Sequence, residues 1–154
     1  MLSERYEVDA SLFSSVDEES DGLFIANGES EPRPEIIEIQ SVGTLCVSDG
    51  RVEIAYDETE ATGMAGSRTA ISFMENEPGI ISLAREGMVS TTLVFESAKR
   101  YHCVYQTPYM PFEICVRTHK VDNRLLTEGT LSLDYIIEIR GAQAERTRFS
   151  MQIL

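Results

Sequence analysis

The sequence predicts an all-β protein, a closed antiparallel up-and-down β-barrel of about eight to ten strands, and three observations carry that prediction. From Glu35 to Leu154 the chain is a series of short alternating segments, each ending in a turn signal. No stretch in that span keeps a helical period. The spacing leaves no room for the crossover helices that parallel strands require, so hairpin-connected neighbours are the simplest topology.

Near the N-terminus, Tyr6, Val8, Ala10 and Leu12 alternate with Glu7, Asp9 and Ser11 as in a strand, and Leu23-Phe24-Ile25-Ala26 competes for the same role. Residues 14 to 21 are acidic and Ser-rich, and residues 28 to 34 add Glu29, Glu31, Pro32 and Pro34. Neither run can bury enough apolar surface to order itself. Residues 1–34 therefore read as an acidic, partly disordered arm with one candidate strand, and residues 35–154 as the barrel domain.

Beyond Pro34 the strands are expected at about 36 to 47, 51 to 57, 68 to 75, 79 to 85, 91 to 96, 100 to 107, 112 to 121, 129 to 140 and 146 to 154. The clearest has Leu131, Leu133, Tyr135, Ile137 and Ile139 at every second position, with Ser132, Asp134, Glu138 and Arg140 between them. Asp49-Gly50 is a tight-hairpin signal, because that pair tolerates the positive φ angles such turns need. Asn76-Glu77-Pro78-Gly79 and Arg140-Gly141 are read the same way. Thr62-Gly63-Met64-Ala65-Gly66 and Thr107-Pro108-Tyr109-Met110-Pro111 are longer loops, the second with exposed aromatic and apolar side chains.

A chain of 154 residues suits one domain that buries roughly 68 to 70% of its unfolded surface without a metal or disulfide. Cys46, Cys103 and Cys115 are odd in number and lack the close pairing of zinc sites, so they are expected to be buried, reduced thiols of a cytoplasmic protein. The first residues lack a basic start followed by an apolar run, and no run of about 18 apolar residues occurs, so secretion and membrane spanning are disfavoured.

The formal charge of −13 is unevenly placed, with 16 acids against 3 bases in residues 1 to 60 and 10 of each in residues 61 to 154. That balance holds no reservoir of clustered cations for phosphates, so nucleic acid is not an expected partner. The acidic arm keeps the protein soluble or meets a basic protein partner.

Parity sends four tyrosines inward: Tyr56 beside Val52 and Ile54, Tyr101 and Tyr105 beside Cys103, and Tyr135 among its Leu and Ile neighbours. Each buried hydroxyl then needs a partner, since an unpaired one costs about 1 to 3 kcal/mol. In Ile81-Ser82-Leu83-Ala84-Arg85 the same rule points Arg85 inward, unless a bulge at Glu86-Gly87 turns it out. An interior guanidinium requires a carboxylate, hydroxyls, water or a bound anion. It either closes one end of the barrel or recognises a ligand in a tyrosine-lined pocket with Glu58 nearby. The candidate ligand-binding set is Arg85, Tyr56, Glu58, Tyr101, Tyr105, Thr107, Tyr109 and Tyr135.

No signature of a reaction stands beside that set. His102 and His119 fall on the polar parity of their strands. Asp57, Glu58 and Glu60 have no histidine companion, so no metal is expected. No serine lies in a Gly-x-Ser-x-Gly elbow, and Gly63 and Gly66 are not followed by the Lys-Ser/Thr of a phosphate loop. Neither a catalytic residue nor a cofactor is implied.

Tyr56-Asp57-Glu58, Thr62-Gly63, Thr69, Arg85-Glu86-Gly87, Tyr105-Gln106-Thr107-Pro108-Tyr109, Val116-Arg117-Thr118 and Gly129 to Tyr135 form an ordered series. In that series the chain resembles the YwiB-like family of bacterial proteins of unknown function, from about Glu35 to the C-terminus. The resemblance implies a lipocalin-like (calycin) β-barrel in a small cytoplasmic protein, and no activity. Two departures stand out: Met110-Pro111 follows Tyr109 where relatives usually have glycine, and without any tryptophan Arg85 lacks the indole that true lipocalins stack on arginine. The leading expectation is a non-enzymatic barrel that binds a small, partly apolar or anionic molecule. The alternatives are a protein-interaction module that uses the arm or the 107–112 loop, an uncharacterised hydrolase or lyase, and a homodimer formed through sheet edges.

Overall fold

Among the described residues, the alternation from Glu35 onward is realised as antiparallel strands. The computed structural model describes residues 2–9, 35–60 and 65–154, with side chains from residue 36. The acidic runs of the arm, the 23–26 strand candidate and Thr62-Gly63-Met64 lie outside the described residues. In chain order the strands are β1 (Leu2–Asp9), β2 (Glu35–Ser41), β3 (Gly43–Ser48), β4 (Arg51–Asp57), β5 (Arg68–Met74), β6 (Glu77–Glu86), β7 (Thr91–Glu96), β8 (Arg100–Gln106), β9 (Pro111–Arg124), β10 (Thr130–Ile139) and β11 (Ala142–Ile153). A one-turn helix, α1 (Leu125–Glu128), which the alternating pattern did not announce, joins β9 to β10 and ends on Gly129 at φ 71°.

The ladders draw two sheets where one closed ring was expected. The six-stranded sheet runs β2-β1-β11-β10-β9-β8, and the five-stranded sheet runs β3-β4-β5-β6-β7. Both seams have a local cause. The segment expected as one strand over 36 to 47 is interrupted at Val42, so β2 pairs with β1 in one sheet and β3 with β4 in the other. At the opposite seam β7 and β8 are joined by residues 97–99, with Ala98 at φ 62°, and no ladder forms between them beyond the isolated bridge Ser90↔Gln106.

Turn chemistry sets the registers. Asp49 and Gly50 have φ of 50° and 76°, and Arg140 and Gly141 have 53° and 78°. Two successive positive φ angles match the right-handed twist of a two-residue hairpin, which is why both pairs end in glycine. The turn near Asn76 is tighter than expected, because Pro78 and Gly79 already belong to the start of β6, where proline is tolerated.

The interior of the five-stranded sheet is built in cross-strand rows. Val52 faces Phe73, and Ile81 faces Phe95; Ile54, Ile71, Leu83 and Leu93 form the next row, all buried. The third row, Tyr56-Thr69-Arg85-Thr91, is also buried but polar. From the other sheet Leu131, Leu133, Tyr135, Phe149 and Met151 cover these rows, and all are at most 8% exposed. Apolar packing thus fills most of the interior and gives way to hydroxyls and charge at one end.

One cysteine departs from expectation. Cys103 and Cys115 are buried, but Cys46 is exposed, because β3 is an edge strand with little against either face.

Candidate polar site at one end of the interior

Arg85 points inward, as parity required, and its partner is Glu58. The guanidinium Nη2 lies 3.3 Å from Glu58 Oε1, and the two side chains are 8% and 1% exposed. Thr69 completes a triangle: its hydroxyl donates to Glu58 Oε1 at 2.6 Å and accepts from Arg85 Nε at 3.3 Å. The chain reaches this arrangement because Thr69 and Arg85 are direct neighbours across β5 and β6, while Glu58 follows the last residue of β4.

Glu58 is held by its backbone. Its N–H donates to the Ser67 carbonyl at 2.8 Å, and Ser67 rests on Gly87. A Cβ at Gly87 would overlap Ser67 Oγ and come within 2.9 Å of Ser67 Cα, so this site requires glycine for close approach. Gly87→Ala should therefore destabilise the protein by about 1 to 3 kcal/mol through overpacking. Gly79→Ala, where nothing lies within 4 Å of the added Cβ, is the control in the same urea titration.

The facing sheet supplies Tyr105, Tyr135, Thr147 and Glu145. Burial pushes the Tyr105 phenol up, with nearby Arg85 opposing and Glu145 and Cys103 adding to the rise. Tyr135 is pushed up much further, chiefly by burial, with Tyr105 and Glu145 contributing and Thr147 and Arg85 opposing. Both phenols therefore stay protonated and can donate hydrogen bonds. Thr147, opposite Tyr135 in the ladder, donates its hydroxyl to Glu145 Oε1 at 2.9 Å. Glu145 was missed because β11 was expected to begin at residue 146. The ladder slips between Ile137 and Glu138, and Glu145 pairs with Ile137 on the inward parity.

Four of the eight candidate residues thus gather around Arg85 itself: Tyr56 as its row neighbour beyond Thr69, Glu58, Tyr105 and Tyr135. Three stand elsewhere. Tyr101 donates its hydroxyl to Glu96 at 2.6 Å at the rim, since β8 leaves the cover of β7 there. Thr107 accepts from the backbone N–H groups of Tyr109 and Met110 and donates to the Met110 carbonyl at 2.7 Å, which makes it a loop-fixing residue. Tyr109 is 97% exposed.

Two further arrangements lie on the outer face of the six-stranded sheet. His102, Cys115 and Glu138 are successive cross-strand neighbours beside a cleft of about 750 Å³. Burial and the Glu138 carboxylate push the Cys115 thiol up, against Arg100 and Arg117, so it is not primed as a thiolate nucleophile. The second is a cationic row, Arg100, Arg117 and Arg146, separated by Ile136. Glu138 pairs with Arg100 and Arg117 at 3.2 and 3.6 Å, and Asp134 pairs with Arg146 at 2.9 Å, so this is a paired surface. His102 and His119 are both exposed.

The family model described as a domain of unknown function, DUF1934, matches residues 24–151. The chain belongs to the DUF1934 family. Among solved structures, the chain is similar to the crystal structure of YwiB protein from Bacillus subtilis, at 16% identity and a TM-score of 0.69, over 98% of this chain and 88% of that one. At that identity the likeness speaks for the shared fold. No curated protein matches the chain. Membership agrees with the YwiB-like resemblance carried by Tyr56-Asp57-Glu58 and Arg85-Glu86-Gly87, two motifs that here meet in one ion pair. No described helix is long and apolar enough to cross a membrane.

Proposed function

We propose that the protein is a non-enzymatic binder that holds a small molecule at the polar end of its interior, between the Tyr56-Thr69-Arg85-Thr91 row and the Tyr105, Tyr135 and Glu145 side chains. The observation that carries the reading is the buried Glu58-Arg85 pair. An ion pair in this position costs more than apolar packing of the same volume, and it is out of place in a barrel whose other rows are filled by Ile, Leu and Phe. The two sheets are then the walls of a flattened calycin-like barrel, bent at Val42 and bridged at Ser90 and Gln106. Free cysteines suit a cytoplasmic setting.

The charges refine the ligand class. Arg85 stands against two carboxylates, Glu58 and Glu145, so a simple anion meets net repulsion. A neutral, hydrogen-bonding molecule with an apolar body fits the protonated phenols and the adjoining aliphatic rows better.

Native mass spectrometry of the purified full chain tests this. The expected spectrum contains a retained small molecule whose occupancy falls at least about tenfold in Arg85→Met/Glu58→Gln and is unchanged in Tyr109→Ala. A bare chain mass, together with no thermal shift across a panel of neutral polar compounds, would count against the reading.

A second reading has its own observation. Tyr109 and Met110 are 97% and 65% exposed on a loop that Thr107 fixes with hydrogen bonds, and Phe112, 40% exposed, follows at the start of β9. A rigid apolar loop of this kind suits a protein partner. Loss of a co-purifying protein on Tyr109→Ala, with the retained small molecule absent, would favour it over the interior site.

A further inference from the structure

β3 is the one uncharged strand among the described elements, in a chain that is 25% charged. It forms the edge of the five-stranded sheet, and among the described residues it pairs only with β4. An edge strand presents a row of unpaired N–H and C=O groups, which proteins ordinarily protect with lysine, proline, a bulge or a cover. β3 has no lysine or proline, and its ladder with β4 shows no register shift.

Its apolar side chains are left half-covered. Leu45 and Val47 sit opposite Ile54 and Val52, which are 1% and 0% exposed, yet they are themselves 49% and 51% exposed. The core rows therefore run out to this edge and stop there unfinished. Val42, just before the strand, is 81% exposed.

The order of residues supplies the occupant. Thr44-Leu45-Cys46-Val47-Ser48 is a chemical palindrome. In antiparallel pairing centred on residue 46, Leu45 of one copy meets Val47 of the other on one face, twice. On the opposite face Thr44 meets Ser48, and Cys46 meets its own counterpart. Apolar pairs and Thr-Ser hydroxyl pairs are both favourable cross-strand neighbours. Two copies each carrying a charge of −13 repel one another elsewhere, whereas this strand brings no charge to the contact.

We propose that β3 is a homodimerisation edge, pairing antiparallel with β3 of a second copy about a two-fold axis at Cys46. The pairing joins two five-stranded sheets into one and covers Leu45 and Val47 of both copies, an isologous contact that closes on itself. Because net repulsion opposes it, association tightens as salt rises.

Sedimentation velocity of the full chain from about 1 to about 200 µM tests the proposal. The expected result is a concentration-dependent species of twice the chain mass, favoured at higher salt. Val47→Lys places a lysine at the pairing edge and should weaken association at least about tenfold, with the β-sheet circular dichroism unchanged because Val47 is already half-exposed. Cys46 provides a second readout. Direct antiparallel neighbours have Cα atoms about 4.5 to 5.5 Å apart, within disulfide range. Diamide, which accepts the two electrons and two protons lost by a pair of thiols, should link the chains through Cys46 and fail to do so in Cys46→Ser. A monomer at every concentration overturns the proposal, and so does a dimer whose affinity is unchanged by Val47→Lys.

Discussion

Arg85→Met should lower the stability of the protein by about 3 to 5 kcal/mol, read as a fall in the midpoint of a urea titration at unchanged slope. Methionine fills most of the arginine's volume, so lost packing is a minor part of the effect. The larger part is Glu58, whose side chain is 1% exposed and would keep a carboxylate without its guanidinium. Glu58→Gln in the same chain should recover most of the loss, because the amide oxygen still accepts from the Thr69 hydroxyl and no uncompensated charge remains. The two substitutions should therefore be strongly non-additive, with a coupling of at least about 2 kcal/mol. A loss below about 1 kcal/mol for Arg85→Met would mean that solvent reaches the pair, and the polar row would then be a surface feature. The double variant also gives the binding experiment a folded protein without the charged pair, so a loss of ligand can be separated from a loss of structure.

Much of this arrangement was legible in the sequence, for a specific reason. A strand has a period of two, so once Ile81 and Leu83 are assigned inward, Arg85 follows unless the strand bulges, and β6 keeps its pairing from Ser82 to Glu86. The same rule placed Tyr56 and Tyr135. It failed for Tyr101 because parity fixes a direction and not a depth: the residue points toward the interior face, but it lies where the covering strand has ended. Thr107 and Tyr109 lie on a loop to which no period applies. Glu145 was invisible for another reason, since a register slip in β10 and β11 extends a strand past the point where alternation suggests it begins. The seams between the sheets depend on the Val42 break and on how β7 and β8 diverge, and residue order carries no local mark of either. The palindrome in β3 was fully legible, but it gains meaning only once β3 is known to be an edge.

Phe95→Ala should cost about 3 to 5 kcal/mol, comparable to the loss at Arg85 but of different origin. Phe95 is fully buried, pairs with Ile81 across β6 and β7, and meets Tyr135 at a ring-centroid distance of 4.7 Å and an interplanar angle of 53°. It therefore contributes both apolar burial and a tilted aromatic contact, the latter worth about 0.5 to 1.5 kcal/mol beyond area. Its position makes the variant informative. β7 and Tyr135 belong to different sheets, and no continuous ladder joins those sheets at the β7-β8 seam, so side-chain packing of this kind holds them face to face. Removing the ring should loosen the seam before it unfolds either sheet. Amide exchange in β7 and β8 should then accelerate more than in β4 and β5, beyond what the global loss of stability requires. Uniform acceleration across all strands would instead show that the two sheets unfold as one unit and that the seam has no separate weakness. Val52→Ala, a deletion on the far side of the same sheet, is the comparison: it should lower stability without that local bias.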